Sequence, residues 1–319
     1  MKNFKNSLVN VELPNWYITG LVDAEGSFGV SISKNASRSL GYIINVSFEI
    51  ALQASDKHIL LKLKDYFRVG GIYKHVNDMY RYKVSSIKDI VTAIIPHFDK
   101  FPLVTQKRAD FFLFKQIIFI LNKGSLKPAD LQEVVNFKGV LNRGLSSLRD
   151  PADSNVVKQR GKELKLAFPN TIAYSRPQIT MGELNPEWVR GFAEGEGCFF
   201  VTLANNLRLN CGVQVTLGFI LTQHFRDINL LQEFKSFFGC GKFSLRKTSL
   251  AGDFKVSGVK DIINIIIPFF EKYPFFGTKL ISFKQLCLVV DIVKEKGHLT
   301  DEGLKKIRDI KSSTLFFKK

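Results

Sequence analysis

Cysteine is scarce in this chain. There are four (Cys198, Cys211, Cys240, Cys287), all in the second half and none in a Cys-x-x-Cys pair. That excludes a disulfide framework or a zinc knuckle and fits a reducing compartment. Long apolar runs are missing too. The most apolar stretches, 111–121 and 262–270, fall short of the about 18 residues a membrane span needs, and Pro268 interrupts the second. Residues 1–15 show neither the apolar core of a signal peptide nor the Arg/Ser-rich pattern of a transit peptide. A soluble chain with no membrane partner is expected. Negative charge is in deficit: 46 Lys and Arg face 29 Asp and Glu, a net charge of +17. Such an excess suits a polyanionic partner. An anionic membrane surface fits less well, because no Lys/Arg cluster sits beside an apolar helix.

What remains is globular. The chain has 319 residues, 45% hydrophobic and 24% charged, enough for roughly two domains. It is rich in Lys, Asn, Ile and Phe. AT-rich codons encode these residues, so a mitochondrial or other AT-rich genome is the expected source.

The sequence is written twice. Residues 18–28, ITGLVDAEGSF, reappear as 189–199, VRGFAEGEGCF, at the 171-position offset from Glu25 to Glu196. Phe48 to Leu60 pairs with Phe219 to Leu231 at the same offset, and YKVSSIKDI (82–90) matches FKVSGVKDI (254–262). PHFDKFP (96–102) matches PFFEKYP (268–274), and KGSL (123–126) matches KGHL (296–299). A period this long is a duplicated domain rather than a solenoid, and two like domains in one chain mimic a two-fold dimer.

Each copy reads the same way. A short helix opens it, with Asn15 and Asn185 as expected N-caps, Pro186 at a first helical position, and Gly26 and Gly197 as expected stops. Strands follow. Phe28, Val30 and Ile32 alternate with small or polar residues, as do Ile44, Val46, Phe48, Ile50 and Leu52, and in the second copy Val213, Val215, Leu217, Phe219 and Leu221. Period two gives one buried and one exposed face. Helices near 56–67 and 227–238, two more strands and a third helix complete the order αββαββα. The fold class is α+β, with an antiparallel sheet in each copy. The expected boundaries are 1–145 for the first domain, 146–180 for a linker with a helix near 157–167, and 181–319 for the second domain.

The repeated helix carries small residues four apart, Gly20 with Ala24 and Gly191 with Gly195. They serve either tight packing within each domain or packing of the two helices on each other at a pseudo-two-fold axis. Glu25 and Glu196 stand at the C-terminal ends of these helices, where the helix dipole disfavours a carboxylate by about 0.3–1 kcal/mol. If the helices pair in parallel, the two carboxylates also repel. The plain alternative is a solvated helix-end glutamate; a bound cation would offset both penalties. Asp23 and Glu194 form a second repeated acidic pair on a different helical face. Oxygen-only ligands suit Mg²⁺ or Ca²⁺ rather than zinc. In a basic protein that points to phosphodiester chemistry, in which a metal activates water and neutralises charge at phosphorus. Two scissile phosphates on opposite strands require two such sites.

At these residues the chain resembles the LAGLIDADG homing endonucleases. TGLVDAEG (19–26) and RGFAEGEG (190–197) look like their two namesake motifs, and FDKFPLVTQK (98–107) and KGHLT (296–300) resemble the single-chain branch of fungal mitochondrial introns. The resemblance covers most of the chain; 175–180 and the tail are poorly matched. It implies a monomer of two αββαββα domains joined through the motif helices, with two sheets forming a saddle over the major groove of double-stranded DNA. It implies Mg²⁺, with Ca²⁺ as a non-catalytic substitute, held by Glu25 and Glu196 with the carbonyls of Ala24 and Gly195. It implies cleavage of both strands with short 3′ overhangs. Lys107 and Lys279 match the basic residues that flank the family's active sites, and Gln223 a residue that orders water. The first copy has Leu52 at that last position, so unequal active sites are implied.

Strand alternation gives a DNA-binding surface independently. Ser31, Ser33, Asn45, Ser47, Glu49, Arg81 and Lys83 should share one face, as should Thr202, Gln214, Thr216, Arg246 and Lys255. Such side chains hydrogen-bond to base edges, and Phe200 and Ile220 on that face could touch thymine methyls. A solvated sheet face is the alternative at any one position. The five histidines show no ligand spacing. The leading expectation is a site-specific double-strand DNA endonuclease; the runner-up is an intron RNA maturase that uses the same basic surfaces without cutting, and a third is a DNA-binding regulator on the same scaffold.

Overall fold

The computed structural model describes residues 11–142, 164–172, 174–247 and 249–313. The chain divides into two compact units. One joins Met1–Ala24 to Glu183–Lys319, and the other is Glu25–Gly182. The first motif helix is thus assigned, up to Ala24, to the unit that contains the second copy.

In the Glu25–Gly182 unit, β1 (Gly26–Lys34), β2 (Tyr42–Gln53), β3 (Gly71–Lys74) and β4 (Met79–Val84) form an antiparallel sheet of order β1-β2-β4-β3. Phe28, Val30, Ile32, Val46, Phe48, Ile50, Tyr82 and Val84 are buried on one face, as the alternation requires. Phe28 is the hub of that core, with Phe48, Phe98, Phe111 and Phe114 around it at ring separations of 5.4 to 5.7 Å. Two helices, Lys57–Phe67 and Lys107–Leu121, supply the covering layer together with a helical segment that runs from Ile87–Asp89 to Ile95–Lys100. That segment contains a π-turn at Ile90–Ile94 just before Pro96. Proline has no N–H to bond four residues back, and the wider turn absorbs the defect.

The second copy repeats this plan. Strands β5 (Gly197–Asn205), β6 (Val213–His224), β7 (Lys242–Leu245) and β8 (Ala251–Val256) form a sheet of order β5-β6-β8-β7. Phe199 is the hub here, ringed by Phe219, Phe270, Phe275 and Phe283. The π-turn recurs at Ile262–Ile266, before Pro268. Helices Ile228–Phe238, Lys279–Lys294 and Asp301–Ser313 complete the unit.

Two expectations at helix ends need correction. Asn185 does cap its helix, its side chain accepting from the Glu187 N–H at 2.9 Å. Asn15 is instead the first helical residue, and the carbonyl of Pro14 accepts from Ile18. Pro14-Asn15 and Asn185-Pro186 occupy equivalent positions in reversed order, so the Asn185 pattern does not carry over to Asn15. Gly197 also ends its helix differently from a left-handed stop: its backbone is extended, at φ −72° and ψ 143°. Glycine is needed there for space, because a Cβ would collide with the Ala193 carbonyl and stand 3.2 Å from the Phe219 ring.

Between the copies, 164–167 is helical, and the rest of the helix expected over 157–167 lies outside the described residues. Part of the expected linker packs on the Glu25–Gly182 unit. Arg176 donates to buried Asp110 at 2.7 Å and to the carbonyls of Gln106 and Val140, and Tyr174 donates to Glu133.

Candidate functional site

The two motif helices are Asn15–Glu25 and Pro186–Glu196. Their residues 15–24 and 186–196 belong to one unit, and there they pack backbone against backbone. A Cβ on Gly20 would overlap the Trp188 carbonyl and stand 2.8 Å from the Phe192 nitrogen. One on Gly191 would overlap the Tyr17 carbonyl and stand 3.0 Å from the Leu21 nitrogen. Of the two readings of the small residues, packing across the repeat is therefore the one realised.

The inner acids of the motifs are structural. Asp23 and Glu194 are buried, 5% and 9% exposed, and each is held by an aromatic donor from the other helix. Trp188 Nε1 donates to Asp23 at 2.8 Å, and Tyr17 Oη donates to Glu194 at 3.1 Å. Glu194 also accepts from the backbone N–H groups of Phe276 and Gly277. Tyr17 and Trp188 are equivalent positions of the repeat, as are Asp23 and Glu194. Sequence reasoning set the acids aside as a second pair and missed their aromatic donors. The signal was present: a Tyr or Trp one turn into each helix, at the repeat offset.

The outer acids differ. Glu25 is exposed and Glu196 half-buried, and each is the last residue of its helix. Lys107 and Lys279 are each the first residue of theirs, Lys107–Leu121 and Lys279–Lys294. An anion at a helix C-terminus and a cation at an N-terminus both oppose the helix dipole. The fold therefore spends stability twice in each copy to put one carboxylate and one ammonium where they are. In the second copy the Lys279 ammonium donates to the carbonyl of Gly197, the residue after Glu196. In the first copy Lys107 and Glu25 lie in the same unit.

The sheet residues fall as expected. Ser31 lies opposite Asn45, Glu49 opposite Lys83 and Arg81 opposite Ala51, which puts Ser33, Ser47 and these residues on the face away from the Phe28 core. In the other sheet Thr202 lies opposite Thr216, Gln214 opposite Ala204, Phe200 opposite Gly218 and Ile220 opposite Lys255. Gln223 lies opposite Gly252, one residue out of phase with that face and in phase with buried Leu221.

Charges on these faces are paired. Glu49 accepts from Arg81 and Lys83, both at 2.9 Å. Burial alone would raise the pKa of Glu49. The hydrogen bonds from Lys83 and Ser47 and the two positive charges outweigh it and hold the carboxyl below its usual range. Asp253 behaves alike: desolvation is overcome by Arg246 at 2.7 Å and by the Thr222 hydroxyl at 2.7 Å. Guanidinium groups so pinned are pre-oriented donors, and Arg81 is further held by His75 at 2.7 Å.

The comparisons agree with this geometry. The profile of the LAGLIDADG endonuclease family matches residues 18–118 and 189–290, one stretch per copy. The chain belongs to that family. Among curated relatives it is 34% identical over 311 residues to a probable intron-encoded endonuclease 2 of Neurospora crassa, a match covering 93% of this chain and 64% of that protein. It is 34% identical over 312 residues to a probable intron-encoded endonuclease 3 of the same fungus, covering 96% and 55%. The chain therefore spans less than two thirds of the length of these relatives. Among solved structures, the I-LtrWI LAGLIDADG homing endonuclease bound to target DNA is 41% identical with a TM-score of 0.86, covering 93% of this chain and 96% of that one. The I-SmaMI enzyme bound to cleaved DNA is 33% identical with a TM-score of 0.87, covering 95% and 97%.

Proposed function

We propose that this chain is a site-specific double-strand DNA endonuclease that hydrolyses one phosphodiester on each strand, uses Mg²⁺, and leaves short 3′ overhangs. The observation that carries the reading is the duplicated charge arrangement: a carboxylate at a helix C-terminus and a lysine at a helix N-terminus, in both copies and against the dipole each time. A chain that only bound nucleic acid would gain nothing from the carboxylates.

The donor set fits a hard divalent cation. At each helix end the protein offers a carboxylate, Glu25 or Glu196, and a backbone carbonyl, Ala24 or Gly195. Among the described residues no group of three or more His, Cys, Asp or Glu could hold a metal alone. Water and phosphate oxygens would supply the remaining ligands, a set Mg²⁺ favours. When bound, the cation lowers the pKa of a water and neutralises charge at phosphorus. Lys279, tied to the Gly197 carbonyl, sets a positive charge where an anionic phosphodiester approaches, and Lys107 does the same in its copy. Gln223 supports the second site through water, and Leu52 cannot, so the two strands are cut at unequal rates.

Ser31, Ser33, Asn45, Ser47, Glu49, Arg81 and Lys83 contact one half of the target, and Phe200, Thr202, Gln214, Thr216, Arg246 and Lys255 the other. The working unit is a monomer with domains at 1–145 and 181–319 and a linker over 146–180, and it acts in the mitochondrion of its source. The test is cleavage of a partly randomised duplex library in Mg²⁺ with the ends sequenced. Enriched ends with a fixed 3′ stagger, absent for the Glu25→Gln, Glu196→Gln variant, support the reading. Tight binding without cut ends overturns it, and intron RNA becomes the ligand to test.

A further inference from the structure

The two reading faces differ in chemistry at equivalent positions. In the first sheet Gly29 lies opposite Ser47; in the second Phe200 lies opposite Gly218, so the large and small partners are exchanged. The Phe200 ring fills the space over Gly218, where an added Cβ would stand 2.7 Å from its Cζ atom. Glu49 in the first sheet is replaced by Ile220 in the second. Lys83 and Lys255 are equivalent lysines, yet Lys83 bonds the Glu49 carboxylate at 2.9 Å while the Lys255 ammonium lies over the Phe200 ring at 4.9 Å. Phe200 is thus fixed from below by Gly218 and from one side by a cation–π contact, and it cannot swing away without losing both.

We infer that the two half-sites are read by different chemistry: a carboxylate–guanidinium–ammonium set in the first sheet reads a C·G pair, and a fixed apolar platform of Phe200 and Ile220 in the second reads thymine methyl groups. The inference rests on the endonuclease reading and adds the base preference of each half. Glu49 accepts from the cytosine N4 amino group while Arg81 or Lys83 donates to guanine O6 and N7. The platform has no donor or acceptor for a base edge, and in the major groove the thymine C5 methyl is the apolar feature it can cover.

The test uses the Glu25→Gln, Glu196→Gln protein, which separates binding from cutting. Its preferred duplex is selected from a random library. Deoxyuridine then replaces thymidine in one half-site at a time, removing the methyl and nothing else. We expect a loss of about fourfold in affinity per contacted thymine, the value of one buried methyl, confined to one half-site. Phe200→Ala should abolish that loss. Glu49→Gln should relax a C·G preference in the other half-site and leave the deoxyuridine effect intact, and retained selectivity in each variant's untouched half shows that it has folded. If a site is selected but deoxyuridine costs nothing in either half, or costs as much with Phe200→Ala, the inference is overturned while the endonuclease reading stands. If selection enriches no sequence, both are overturned.

Discussion

Trp188 donates its indole N–H to Asp23 at 2.8 Å, and the two lie 165 positions apart in sequence. The bond joins the second motif helix to the first. It separates the motif acids by environment: Asp23 and Glu194 hold the helices together, while Glu25 and Glu196, the helix-end acids, carry the proposed chemistry.

That division can be measured. Trp188→Phe removes a hydrogen bond to a buried carboxylate and should cost about 1–3 kcal/mol, read as a lower midpoint in urea. Glu25→Gln should leave the midpoint unchanged, or raise it slightly by removing an anion from a helix C-terminus, while eliminating cleavage of one strand. Equal destabilisation by both variants would contradict the assignment.

The helix crossing should tolerate no side chain. Gly20→Ala and Gly191→Ala each drive a methyl into backbone, which does not yield as a flexible side chain would. We expect a loss of about 3 kcal/mol or more for either, or failure to fold. Ala24 and Gly195 are half-buried, and Gly195→Ala, which only restores the residue of the other copy, should be milder.

Acid sensitivity should centre on His97. It is 6% exposed, its Nδ1 is paired with the Tyr66 hydroxyl at 2.9 Å, and burial pushes its pKa down to about 4. The unfolded chain therefore takes up a proton, near pH 6.5, that the folded chain refuses until about pH 4. The contribution is present above pH 6.5 and is lost as pH falls through that window, by up to about 3 kcal/mol. At the equivalent positions the second copy has Phe237 and Phe269, packed ring to ring at 5.6 Å. Tyr66→Phe with His97→Phe should flatten stability between pH 4 and pH 6.5, as followed by thermal melts; an unchanged pH dependence would place the sensitivity elsewhere.

Lysine at a helix start is expected to matter for rate. Lys107→Met and Lys279→Met should each slow cutting of one strand by about 10²–10³-fold, so that nicked duplex accumulates on a gel. Either should change stability little, because removing a cation from the positive end of a helix offsets the loss of a contact such as the Lys279 bond to the Gly197 carbonyl. If either slows both strands equally, the lysines do not serve separate sites.

Much of this is legible in the sequence. The duplication and the strand faces follow from repeat offsets and period two, which are local signals, and so do the places of Glu25 and Glu196 at the C-terminal ends of their helices. The aromatic partners of Asp23 and Glu194 do not, because hydrogen bonds across 165 and 177 positions leave no local trace. Neither does Arg176, whose Ser-Arg-Pro setting reads as linker although its guanidinium meets a buried aspartate. Asn15 misled because the cap pattern of the second copy was carried to the first, where the proline comes before the asparagine. Gly197 misled because a glycine at a helix end suggests a left-handed turn, whereas here it gives room for the Ala193 carbonyl and Phe219.

The most direct measurement takes the two outer acids one at a time. Glu25→Gln and Glu196→Gln proteins are each incubated with Mg²⁺ and a supercoiled plasmid that carries the selected site, and the nicked strand is mapped. We expect open circles from both, with opposite strands cut and no linear product. Linear product from either variant, or the same strand nicked by both, would contradict the account of one carboxylate, one lysine and one strand in each copy.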